Sequence, residues 1–402
     1  MLSTFRSVSY VPVLKWKTGE RRALSTLREP LRDQLVPFFL LPPSGEYDHE
    51  TRRRLTALGH IKLFGDRLHK AWGRRVAFVD TVNVDETPRQ DAVDPSPTGL
   101  FGLGREGHPL AEVLGRAHAA HATACPATAL DRSPEYQEVV RRFVARHPDL
   151  PICIRIDPLG EMERDSFAAD LLALLDRLGC GPERVVLMLD FVEMNAPKPD
   201  DVASFAEILA ERIYRLPALS KWLKVVTTLT SFPKSLKGMK PGDTKIVSRT
   251  DWMIYRTLIQ REPDFVRSVA FGDRAVDPTP FPPPAKAMSP SAHLRYTTPT
   301  NYIVIKGQQA VAPVGYAAIF PVAEALAARP DFMGSLFSEG DGYINRLADR
   351  KVRTSSGSAP TWRWASTDHH LTLVVQDLRV LGGLDHKSDK VPQAETVQGV
   401  LL

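Results

Sequence analysis

Residues 184–191, RVVLMLDF, decide the fold. Five consecutive apolar residues, Val185, Val186, Leu187, Met188 and Leu189, stand between Arg184 and Asp190. The run has the length of a strand, and it is apolar on both of the faces a strand presents. Such a strand belongs to a parallel sheet whose two faces are covered.

Runs of the same kind recur outward in both directions, at residues 9–15, 35–41, 75–82, 121–130, 150–157, 222–230 and 266–273, which makes eight candidate strands in all. Helical patterns lie between them. Ser133 offers an N-cap and Pro134 a first helical position, after which Tyr136, Val139, Val140, Phe143 and Val144 share a face. Phe167, Leu171, Leu174, Leu175 and Leu178 form a second stripe that stops at Gly179, a residue suited to a helix C-terminus. Val202, Phe205, Ile208 and Leu209 form a third, and weaker patterns at 18–31, 50–72, 109–118 and 250–259 fill the remaining gaps.

Eight β-then-α units with right-handed crossovers predict an α/β fold, a (β/α)8 barrel, with an open doubly wound sheet as the alternative. No Gly-x-Gly-x-x-Gly follows a predicted strand and no Gly-x-x-x-x-Gly-Lys-Ser/Thr occurs, which disfavours the open sheet. We expect one barrel domain over residues 1–378, with an insertion at 278–315 after the eighth strand. Residues 302–305 and 371–375 read as added strands that pair with each other, and 379–402 as a poorly ordered tail.

Of the 402 residues 43% are hydrophobic and 25% charged, a mix that excludes disorder, collagen and coiled coil. Basic residues number 52 against 47 acidic, too mild an excess to argue for nucleic acid. No apolar stretch approaches the ~18 residues of a membrane span, and the first residues lead into Lys15 and Lys17 without an apolar leader, so a cytoplasmic protein is expected. Cys125, Cys153 and Cys180 are too scattered for a disulfide framework and read as buried thiols.

Ligand sites of such barrels form at the C-terminal ends of the strands. The groups expected there are Lys15, Lys17 and Glu20 after the first strand, Asp80 after the third, Arg155 and Asp157 after the fifth, Asp190 after the sixth, Ser231 after the seventh and Asp273 with Arg274 after the eighth. Lys306 joins them from the insertion. Alternation along a strand puts Lys15 with Lys17, and Arg155 with Asp157, on one face. Lys15, Lys17, Asp157, Asp190 and Asp273 are the candidates for catalysis. Converging cations and carboxylates suit an anionic small molecule, such as a phosphorylated one, or else they pair internally and close the fold. Asp80, Asp157, Asp190 and Asp273 have no fixed metal-ligand spacing, so neither a metal nor a cofactor is expected. Trp362 with Trp364, and His369 with His370, read as strand residues.

Residues 10–17 (YVPVLKWK) with Gly19 and Glu20, residues 269–273 (VAFGD) and residues 368–371 (DHHL) resemble the beta-protein family of temperate phages and bacterial mobile islands. The resemblance covers most of the chain. It implies a role in phage defence or in counteracting a companion killer protein, hence a protein partner of a defence or toxin–antitoxin locus. It supplies no reaction and no catalytic residue.

Overall fold

The computed structural model describes residues 2–84, 107–191, 197–233, 235–277, 281, 290–352 and 355–382. All eight predicted runs contain strands: β1 (Val13–Lys15), β2 (Phe38–Leu40), β3 (Val76–Asp80), β4 (Thr123–Ala129), β5 (Ile152–Ile156), β6 (Val185–Asp190), β7 (Lys224–Thr228) and β9 (Val269–Gly272). A further strand, β8 (Thr244–Ser248), lies between the last two in sequence but outside their sheet. The eight pair in parallel in chain order. The ends of the sheet meet where Tyr10 bridges Phe271, and the Val11 and Val13 amides donate to the carbonyls of Phe271 and Asp273 at 2.8 Å each. The sheet is therefore a nearly closed parallel barrel. All six residues of β6 are buried, as its continuous apolar run requires.

The crossovers carry helices α1 (Thr18–Thr26), α2 (Phe64–Trp72), α3 (Pro109–Ala119), α4 (Pro134–Arg146), α5 (Phe167–Leu178), α6 (Val202–Tyr214) and α7 (Thr250–Arg261). Ser133 caps α4, its hydroxyl accepting from the Tyr136 amide at 3.1 Å. Gly179 ends α5 at φ 64°, a left-handed conformation that glycine adopts without strain.

After β9 come β10 (Ser291–Thr297) and β11 (Asn301–Gln309), an antiparallel pair. Strand β8 joins the other side of β11, with Thr244 opposite Ile305, so the small sheet takes one strand from before α7 and two from after β9. Helices α8 (Phe320–Ala327), α9 (Glu339–Ala348) and α10 (Ala359–Leu381) follow.

The C-terminal expectation is overturned. Residues 371–375 lie in the middle of α10 rather than in a strand, and Tyr302 pairs with Val247 and Thr297 instead. The cause is burial on every side. From Trp364 to Val375 every residue of α10 is buried, so the segment lacks an amphipathic period and reads like a strand. Trp362, Trp364, His369 and His370 are helical for the same reason, and α10 runs past the expected boundary at 378. Residues 278–280, 282–289 and 383–402, which include most of the expected proline loop and tail, lie outside the described residues. Among the described residues no helix is long and apolar enough to cross a membrane.

Candidate functional site

Because the barrel strands are parallel, their last residues gather at one end. At that end Asp80, Arg155 and Asp190 join with Arg132 and Arg274 in an alternating chain of charges. Arg132 donates to Asp80 at 2.9 Å and Arg155 to the same carboxylate at 2.5 Å. The other Arg155 nitrogen reaches Asp190 at 2.7 Å, and Arg274 donates to both Asp190 oxygens at 2.9 and 2.8 Å. Burial pushes the Asp190 carboxyl up, but Arg274 and Arg155 outweigh it and hold the group below the usual carboxylate range.

Lys15 belongs to a second cluster. Its ammonium lies 2.8 Å from Asp277, which also accepts from Arg363 at 2.5 Å and Arg295 at 3.1 Å. Burial raises the Asp277 carboxyl, and Arg363, Lys15 and Arg295 overcome that and bring it well below its ordinary value. Arg363 also lies 3.4 Å from Glu20. The space enclosed by Lys15, Glu20, Arg274 and Asp277 is about 10 Å³, room for one water.

Asp273 takes part in neither chain. It accepts from the Tyr10 hydroxyl at 2.6 Å and from His370 Nε2 at 2.9 Å, and the Thr297 hydroxyl lies 2.9 Å from His370 Nδ1. On the other side of α10, His369 faces Asp341 at 2.8 Å and the Thr297 carbonyl at 2.6 Å. Both histidines are fully buried, each against its own partners around the helix. Helix α10 thus packs beside α1 and pins the seam between β9 and β1.

The other expected site residues are dispersed. Lys17 lies beyond the end of β1 and pairs with Glu46 at 3.1 Å, while Asp157 lies beyond β5, exposed, where it accepts from the Leu159 amide at 3.0 Å. Each pair was expected on one face, but strand alternation stops where the strand does. Ser231 donates to the buried Asp251 at 2.7 Å, and Lys306 donates to the Met239 carbonyl at 2.7 Å in the small sheet. Sequence reasoning missed Asp277 and Arg363. Their loop and helix belong to the segments misread after β9, and no spacing rule linked them to Lys15.

Beside the mouth is a cavity of about 140 Å³, against which Trp16, Lys17, Tyr47, His49, His60 and Arg363 lie. Neither ring nitrogen of buried His60, nor Trp16 Nε1, has a hydrogen-bond partner among the described residues. The three cysteines are buried free thiols, and burial raises each, Cys180 to about 11, so none is poised as a nucleophile. Among the described residues no group of three or more metal-ligating side chains is gathered.

No curated protein sequence matches the chain. Among solved structures, the spore cortex-lytic enzyme SleL of Bacillus megaterium QM B1551 is similar at a TM-score of 0.28 and 11% identity, over 92% of this chain and 73% of that one, too distant to bear on fold or activity. A family model described as Beta protein matches residues 10–376, nearly the whole length. The chain belongs to the Beta protein family.

Proposed function

We propose that this is a phage- or mobile-element-associated protein of the defence or antitoxin type, which binds and regulates a companion protein and uses its barrel as a scaffold. One observation carries the reading: the acids and bases at the strand ends neutralise one another, and the gap beside Lys15 holds no more than a water. A catalytic mouth needs room for substrate and groups not already committed to partners. The family resemblance points the same way. Affinity purification of the full chain from its native host, followed by native mass spectrometry, tests the proposal. A stoichiometric polypeptide partner supports it, and a retained small anion with no polypeptide overturns it.

A second reading, a small anionic ligand beside the mouth, draws on the 140 Å³ cavity with its unpartnered His60 and Trp16 nitrogens and its cationic Lys17 and Arg363. In the same spectra a small-molecule adduct lost on His60→Ala would favour it.

A further inference from the structure

The small sheet and the helix behind it enclose a groove of about 370 Å³ that the barrel chemistry does not use. Its walls are aliphatic: Ile305 from β11, Val314 and Ala318 just before α8, and Pro321 and Val322 at the start of α8. Gly307 makes the close packing of strand on helix possible, because a Cβ there would lie 2.6 Å from Val322 Cγ2 and 2.8 Å from the Ala318 carbonyl. Val314 is exposed in that wall, so apolar surface at the groove is open to solvent.

The neighbouring chain is basic. Residues 231–242 contain no carboxylate; exposed Lys237 and Lys240 precede the groove residues Pro241 and Gly242, exposed Lys245 lies within β8, and Lys306 is at the groove itself. In sequence no acid occurs between Asp277 and Glu324, the stretch that supplies β10, β11 and most of the groove. Asp243 is the exception, and its carboxylate is engaged by the Lys240 amide at 2.6 Å.

The groove also borders an open strand edge. Pairing of β8 with β11 begins at Thr244 opposite Ile305, whereas β11 continues to Gln309. The Lys306 amide and carbonyl bond to Asp243 and Gly242 on that edge. Alternation turns the Gln308 backbone to the same side, where no strand runs beside it among the described residues.

We propose that this groove is a docking site for an acidic segment of a partner protein, which lies along the β11 edge, places an aliphatic or aromatic side chain between Val314 and Val322, and sets its carboxylates against Lys240, Lys245 and Lys306. The proposal rests on the partner-binding reading above and adds the partner's chemistry. A wall of alanine, valine and proline side chains fits an apolar side chain, whereas a phosphodiester backbone finds cations only at the rim.

The test is fluorescence anisotropy on the full chain with a short labelled peptide in which Glu alternates with Leu and Phe. The acidic peptide should bind. Replacing its Glu by Gln, introducing Lys240→Glu with Lys245→Glu, or filling the groove with Ala325→Phe should each weaken binding roughly tenfold or more, about 1.4 kcal/mol. Ala325 is an exposed position on α8, and an unchanged melting temperature would show that the variant folds. Equal affinity for the Gln peptide, no binding of the acidic one, tighter binding of an oligo-dT strand to the same lysines, or a dimer of the chain dissolved by Ala325→Phe would each overturn the inference. A companion protein that still co-purifies with the Lys240→Glu/Lys245→Glu chain would sink this site alone and leave the partner-binding reading standing.

Discussion

Asp273 is held by side chains from opposite ends of the chain, Tyr10 and His370, and by the Ala275 amide, with no water-accessible surface. An amide at that position turns its NH2 toward one of those donors. Asp273→Asn should cost about 1–3 kcal/mol of stability, measured by urea denaturation. A second residue, His108, caps α3 through Nδ1, which accepts from the Leu110 amide at 3.1 Å. A ring that accepts there is unprotonated, and burial draws it down to about 4, against a small opposing pull from Glu135. Burial likewise takes His293 down to about 3. Both folded values lie below the unfolded value near 6.5, so the unfolded chain binds protons first. Stability is fully present above pH ~6.5 and falls as pH drops toward those values. Melting temperature should therefore decline between pH 7 and 5. The decline should be shallower in His108→Asn, which keeps a cap and loses the titration; an unchanged slope would contradict this account of His108.

At the scale of elements, α9 crosses α10 closely at Gly340, where a Cβ would lie 2.2 Å from the Ala365 carbonyl. Backbone cannot give way as a flexible side chain does. Gly340→Ala should cost about 1–3 kcal/mol despite the higher helix propensity of alanine, and a neutral or stabilising result would show that the helices separate freely. The same helices mark the limit of what the sequence makes legible. Strands buried on both faces and helices with one apolar stripe announce themselves, as β6, α4 and α5 do. Helix α10 does not, because Trp364 to Val375 meet apolar or hydrogen-bonding partners all round and leave no period to read. Strand β8 is hidden for the opposite reason: three of its five residues are exposed, so Thr244, Lys245 and Ile246 look like loop. In the candidate site, Asp80, Arg155 and Asp190 follow from strand ends alone. Asp277 and Arg363 depend on how the chain returns after β9, which only tertiary packing determines.

For the molecule as a whole, α10 fills the place of an outer helix beside α1, and removing it would expose the β9–β1 seam and take His370 from Asp273 and Arg363 from Asp277. A chain ended before Ser355 should lose its cooperative melt; a sharp transition retained by that truncation would mean that the barrel closes without it. The central claim is that the strand-end charges hold the fold while the surface does the work. Its most direct test is a paired measurement on Asp190→Asn, which deprives buried Arg274 and half-buried Arg155 of their shared carboxylate. Melting temperature and retention of the proposed companion protein, the latter assayed well below the melt, are read on the same preparation. The account predicts a melting temperature lowered by several degrees, from a loss of about 3–5 kcal/mol, with the partner still bound. An unchanged melting temperature with biological activity abolished would contradict it and return Asp190 to an active site.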